Sequence, residues 1–164
     1  MKRLLFLFTV TLVSCVSKKE EGPVISDATL YSLAGGLSSF TYFRNSMDTL
    51  ATHPESPHGS YIRVRFNPKA LTALDDSAAQ LVSASFPEES MIVKEVYFNS
   101  GGPLRRYVVM YKKEASANSN GGWVWNEMEP DGDVIYSASS NGTACISCHR
   151  DQPNADHVRT LLLH

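Results

Sequence analysis

Near its C-terminus the chain reads Gly142-Thr143-Ala144-Cys145-Ile146-Ser147-Cys148-His149, and no other stretch constrains the fold as tightly. Asn141-Gly142 predicts a turn and Thr143 a helix N-cap, so Cys145 should fall in the first turn of a helix. Residues three and four apart share a helix face. Cys145, Cys148 and His149 therefore line up on one side, and the rest of the chain must leave room in front of them. Two thiols at this spacing with a following histidine form the attachment pattern of haem c. Two thioethers grip one edge of the porphyrin while the imidazole reaches the iron. One such motif implies one covalently attached haem, with Cys145 and Cys148 as its anchors and His149 as the metal ligand. A zinc site would want four ligands. His157 offers a third, but a fourth would have to come from far away.

The opposite end bears on where such chemistry would occur. Met1-Lys2-Arg3 is a short basic region, followed by an apolar run from Leu4 to Leu12 and the ending Val13-Ser14-Cys15. That order predicts an export signal. At roughly ten apolar residues it is too short to span a bilayer, which takes ~20. Leu12-Val13-Ser14-Cys15 resembles the lipobox of bacterial lipoproteins, in which the cysteine is acylated and becomes the first mature residue. The expected organisation is a signal peptide over residues 1–14, a lipidated tether over 15–25 and one domain over 26–164. Val16 in place of aspartate favours the outer membrane, on its periplasmic side. With Cys15 consumed by lipid, only Cys145 and Cys148 remain of the three cysteines. They stand too close together to make a framework of structural disulfides, and export removes the reducing setting of an intracellular thiol site.

The net charge is −2, and losing Lys2 and Arg3 makes it about −4, a mildly acidic balance that excludes nucleic acid as a partner. Ser26 or Asp27 can cap a helix from Ala28 to Gly35-Gly36, and Leu37 to Leu50 is expected to form a second, amphipathic helix. Tyr61-Ile62-Arg63-Val64-Arg65-Phe66 alternates strictly and predicts a half-buried strand with Ile62, Val64 and Phe66 inward. Asn67-Pro68 opens an expected helix through about Ser83. Strands are expected over 91–98, 105–113 and 123–128. Pro130-Asp131-Gly132 then turns the chain into Val134-Ile135-Tyr136. The expected class is α+β: a mainly antiparallel sheet with flanking helices, making a single haem-binding domain.

What fills the sixth position on the iron separates a closed electron carrier from an open, ligand-binding site. Met47, Met91, Met110 and Met128 all precede the haem motif and lie on apolar stretches, where packing is the expected role. His53, His58 and His164 are further options. The small all-helical cytochromes c attach haem near the N-terminus, so this chain is of another kind.

Several ordered features carry a resemblance. They are His58-Gly59 before a strand ending at Asn67, Phe86-Pro87-Glu88, Met91-Ile92-Val93-Lys94-Glu95, Val109-Met110-Tyr111-Lys112, Gly122-Trp123-Val124-Trp125, and the terminal Cys145 to His149. Together, over about Pro54 to Asp156, they resemble the cytochrome P-460 family, whose close relative is cytochrome c′-beta. The resemblance implies a largely β fold, a homodimer, and a five-coordinate haem that is open on its distal side. It also implies binding of small nitrogen ligands, hydroxylamine and nitric oxide, with oxidation of hydroxylamine and electron delivery to a partner cytochrome in some members. In those members a strand lysine makes an extra covalent link to the porphyrin, and Lys94 stands at that place. The strand pattern leaves its surroundings open, because Ile92, Val96 and Phe98 share its parity while Met91, Val93 and Tyr97 make the other face apolar too. A surface lysine paired with Glu95 or a neighbour is the alternative. The hydroxylamine-oxidising members also resemble one another in a distal carboxylate shortly before the haem cysteines. Here that stretch holds none, Asp133 being the nearest, and Ser139 and Ser140 become the expected distal wall. Arg63, Arg65 and Arg106 are alternative distal donors. Lack of an acid–base group there shifts the expectation from hydroxylamine oxidation toward nitric oxide binding, and a non-catalytic nitric-oxide-binding or electron-transfer cytochrome is the alternative.

Overall fold

The computed structural model describes residues 22–54, 56–150 and 155–163. The expected signal peptide, Cys15, most of the tether and His164 lie outside them. Residues 22–25, read as the end of the tether, are stitched to the fold. The Gly22 N–H donates to the Ala115 carbonyl at 2.6 Å, and Asn118 bonds both the N–H and the carbonyl of Ile25.

Helix α1 (Asp27–Ala34) begins at Ser26, whose hydroxyl accepts the Thr29 N–H at 3.1 Å. Asp27 anchors the helix instead of capping it. Its carboxylate accepts from Asn126 Nδ2 at 2.7 Å, Ser137 Oγ at 2.7 Å and the Ala138 N–H at 2.6 Å.

Strands β1 (Thr41–Tyr42), β2 (Leu50–Ala51), β3 (Tyr61–Phe66), β4 (Met91–Tyr97), β5 (Leu104–Lys112), β6 (Trp123–Met128) and β7 (Val134–Tyr136) form one antiparallel sheet. Its order is β1-β3-β4-β5-β6-β7, with β2 beside β1 on the free edge of β3. Short helices α2 (Pro68–Leu71), α3 (Thr143–His149) and α4 (Thr160–Leu163) complete the α+β class anticipated above.

The sheet has two covered faces. On one, α1 buries Leu30 and Ala34 against Met91, Val93, Val109, Val124 and Met128. On the other, Ile62, Val64, Phe66, Ile92, Val96, Trp123 and Trp125 pack with Phe43, Phe86 and Ile146. Burying aliphatic or aromatic side chains of this size stabilises by about 1.5–3 kcal/mol each, so the two indoles and their neighbours hold the second layer. Strand β3 alternates as its sequence dictates, whereas β4 is apolar on both sides because each face has its own layer.

Of two expected helices, one does not form and the other is cut short. Residues 37–50 make 3₁₀ turns at Leu37–Ser39 and Phe43–Asn45 around β1, and then β2. Arg44 and Asn45 have φ of 55° and 52°, which no α-helix accommodates. Pairing with the edge of β3 satisfies this backbone instead, and the Arg65 guanidinium stacks 4.2 Å over the Tyr42 ring. The helix from Pro68 stops at Leu71, not Ser83. Beyond it the Asp75 carboxylate accepts the N–H groups of Ala79 and Gln80 at 2.8 and 3.0 Å, and Ala78 takes φ 53°. A side chain that offers the backbone such a local partner competes with the helix, and here it wins. Ala70, Ala73 and Leu74 are still buried, so the apolar spacing was real although its period was misread.

Candidate functional site

Helix α3 opens at Gly142, not Thr143, with φ 59°. That conformation follows from packing as well as from the turn: a Cβ at this position would stand 2.1 Å from Trp125 Cδ1. Glycine alone lets the helix begin flush against the buried indole. Cys145 and Ile146 then pack onto the sheet, with Ile146 and His149 buried and Cys148 exposed. The two cysteines are not bonded to each other.

His149 is 8 % exposed, and its ring meets that of Trp125 edge-on, centroids 4.9 Å apart. Its Nδ1 lies 2.7 Å from the His157 carbonyl. A carbonyl only accepts, so Nδ1 carries the proton and Nε2 carries the lone pair. Burial is the main influence holding the pKa of His149 down, to about 4, and Lys94 and Arg159 act the same way against the His157 hydrogen bond. A neutral imidazole fixed in one tautomer by a backbone carbonyl is the form that binds metals.

The turn that presents this carbonyl is itself strained and clamped. Asp156 and His157 have φ of 49° and 66°. Lys112 Nζ donates to both Asp156 carboxylate oxygens, at 2.9 and 3.0 Å, and Trp123 Nε1 donates to the Asp156 carbonyl at 3.0 Å. The sheet thereby fixes the loop and the loop fixes His149, a role that no sequence motif assigned to Lys112 or Asp156.

In front of His149 and Cys148 lies a cavity of about 710 Å³, with Thr52, His53, His58, Lys94 and Arg159 among its walls. It narrows into an apolar recess formed by Val64, Ile92, Val108, Met110, Trp125 and Cys145. Cofactor pockets typically measure about 300–1,000 Å³. Two unlinked thiols, a lone-pair imidazole nitrogen and apolar walls fit a haem held through thioethers. Burial first, then Glu127 and Cys148, raises the Cys145 thiol to about 11. Among the described residues no three His, Cys, Asp or Glu side chains gather as a metal cluster, and His157 Nδ1 donates instead to the His149 carbonyl at 3.3 Å.

Lys94 faces the cavity. Register places it between Val64 on β3 and Val108 on β5, with Glu127 on β6 next in the row. Pairing with Glu95 is ruled out, because Glu95 points the other way, onto Arg65 at 2.6 Å and the Tyr97 hydroxyl at 2.8 Å. The Lys94 amine has no hydrogen bond or ion pair among the described residues. Burial above all, and Arg159 next, lowers its pKa to about 8 against the pull of Glu127. That makes it a readier nucleophile than an ordinary lysine.

The other expected distal residues fall elsewhere. Ser139 and Ser140 are exposed on a 3₁₀ turn after β7 and do not line the cavity. Nearness in sequence to the cysteines misled, because the chain rounds the sheet edge between them. Arg63 bonds the Tyr97 hydroxyl at 3.3 Å and Arg65 pairs with Glu95, both off the cavity. Arg106 does not line the cavity either, but it braces Pro57, which does. It pairs with Glu127 at 2.5 Å and donates to the Pro57 carbonyl at 3.1 Å. Glu127 is the carboxylate on the cavity face of the sheet, and its shared parity with Trp123 and Trp125 could have revealed it. Of the methionines, Met110 lines the recess, Met91 and Met128 are buried beside α1, and Met47 is exposed.

A sequence profile described as Cytochrome P460 matches residues 41–160. The chain belongs to the cytochrome P460 family. This cytochrome P460 is accordingly a haem protein of the c type, and the matched span runs from β1 through α3 to the first residue of α4. No curated protein matches the chain.

Proposed function

We propose that the protein is an exported, lipid-anchored monohaem cytochrome that binds small nitrogen ligands, nitric oxide and hydroxylamine, at the iron face opposite His149. One haem c is held by thioethers from Cys145 and Cys148. When bound, it supplies an iron centre that takes such ligands and exchanges single electrons. The observation that carries this reading is His149, locked by the His157 carbonyl as a neutral donor and facing a cavity of about 710 Å³.

The extra link to the porphyrin edge is assigned to Lys94, a reading supported by its place on the cavity wall and its pKa lowered to about 8. Binding is favoured over turnover. The cavity-face carboxylate, Glu127, is engaged by Arg106 and is a poor free base. Oxidation of hydroxylamine is the further activity to be assayed, with electrons leaving to a partner cytochrome. Cys15 would carry the acyl chains on the periplasmic side of the outer membrane. A homodimer is supported by exposed Val134 and Ile135 on edge strand β7.

The test is expression of the full chain in a host that matures haem c. Intact mass should show one haem that resists acidic solvent extraction, plus acyl chains. A red-shifted ferrous Soret band that reverts in Lys94→Tyr would support the link, and an unchanged spectrum ends that part of the reading. A colourless product ends all of it.

A further inference from the structure

The chain enters the domain through a fixed point. The Gly22 N–H donates to the Ala115 carbonyl at 2.6 Å, and the Gly22 carbonyl accepts the Ala117 N–H at 3.2 Å, a parallel bridge to the turn between β5 and β6. Ser116 Oγ donates to the Pro23 carbonyl at 2.8 Å. Asn118, 3 % exposed, spans the backbone of Ile25: its Oδ1 accepts the N–H at 3.0 Å and its Nδ2 donates to the carbonyl at 2.8 Å. A Cβ at position 22 would stand 2.5 Å from the Ala115 carbonyl oxygen, so only glycine permits this approach.

That point lies at one end of the sheet. Register puts Phe66, Met91, Lys112 and Trp123 at this end, and Tyr61, Tyr97, Leu104 and Met128 at the other. Nine-residue β5 alone separates the two ends by about 27 Å. The cavity belongs to the far end. Thr52, His53, Ser56, Pro57 and His58 of its wall all come from the segment between β2 and β3 that runs into Tyr61. Its apolar recess points inward, toward Met110 and Trp125.

Seven residue steps separate Cys15 from Gly22, a reach of at most about 25 Å when fully extended. Turned end for end, a domain hung from acyl chains on Cys15 would carry Gly22 farther from the lipid than this, because β5 and the β4–β5 turn would lie between. Adhesion is not what orients the domain. Glu88, Glu89 and Glu114 gather round Lys113 at the near end, an acidic surface without attraction for anionic headgroups.

We infer that the β5–β6 end of the domain faces the lipid surface and that the cavity opens away from it, so that small ligands and a partner protein approach from the aqueous side. This rests on the lipid-anchored reading above and adds an orientation to it: the short tether, clamped at Gly22, excludes the inverted pose.

The experiment uses the full-length, lipidated, haem-loaded protein in liposomes of phosphatidylethanolamine and phosphatidylglycerol that carry gadolinium-chelating headgroups. A nitroxide is attached through Glu114→Cys, at a side chain 66 % exposed beside the tether, or through Gly101→Cys, in the β4–β5 turn where a Cβ meets nothing within 4 Å. Pulsed electron paramagnetic resonance, referenced to gadolinium-free liposomes to remove the effect of the haem, reads each label's distance from the headgroups. The label at position 101 should lie farther away by at least about 13 Å, half the length of β5. Inserting about twenty Gly and Ser residues after Lys18 lengthens the tether without touching the described fold, and should erase the difference. Equal distances, a nearer label at position 101, or a difference that survives the insertion would overturn the inference while leaving the haem and the anchor in place. Protein that does not bind liposomes would overturn the anchoring reading itself.

Discussion

Replacing Lys112 by methionine removes the cation that clamps the loop behind His149. The side chains of Lys112 and Asp156 are 4 % and 9 % exposed, and Nζ holds both carboxylate oxygens within 3.0 Å. After Lys112→Met the carboxylate keeps one bond, from the Phe86 N–H at 2.9 Å, in surroundings that solvate it poorly. Breaking a buried pair from one side costs about 3–5 kcal/mol, much of it for the charge left behind. In a chain of this length each kcal/mol moves the melting temperature by about 2–4 °C, so a fall of roughly 10 °C is expected. Urea unfolding followed by tryptophan fluorescence gives the free energy directly, since Trp123 lies beside the pair. The decisive comparison is the double variant Lys112→Met, Asp156→Asn. Asparagine keeps an acceptor for the Phe86 N–H and tolerates the φ of 49° at position 156, yet carries no charge. It should recover more than half of the loss. A single-variant cost below about 1 kcal/mol, or no recovery in the double variant, would refute the claim that this pair is desolvated and holds the loop.

Lys94→Met should stabilise the haem-free protein at neutral pH by up to about 3 kcal/mol, the free-energy equivalent of lowering an amine to about 8 by burial. Folding depresses this pKa, so the wild type is penalised fully below pH 8 and regains stability as pH rises toward the ordinary lysine value. The advantage of the variant should shrink over that window, and melts at pH 7 and pH 10 that differ equally from wild type would contradict it. Gly142→Ala should cost at least about 2 kcal/mol, because it joins strain at φ 59° to a 2.1 Å clash with Trp125; an unchanged urea midpoint would show that the indole can give way.

Much of this arrangement was legible in the chain itself. Strand β3 was readable because one face is wet, and the Trp123-Val124-Trp125 run and the Pro130-Asp131-Gly132 turn placed β6 and β7. Residues 37–50 and 72–83 were misread because apolar spacing is also satisfied by loops that dip into a core, where Asp75 and the positive-φ residues decide the path. The haem motif needed no tertiary information. The side on which Lys94 lies did, since both faces of β4 are buried and only its register with Val64 and Val108 separates them. His58 looked like one loop histidine among several. Its distinction is contact with a ring 91 residues later in the chain, a separation that sequence pattern does not encode.

All seven strands precede α3 in chain order. A polypeptide threaded N-terminus first across a membrane would have the whole sheet on the far side before Cys145 emerged. The receiving wall could then be in place when the thiols arrive, and cofactor loading would mark the end of translocation instead of seeding the fold. Truncated chains stalled before residue 143 should accordingly resist protease without ever becoming coloured.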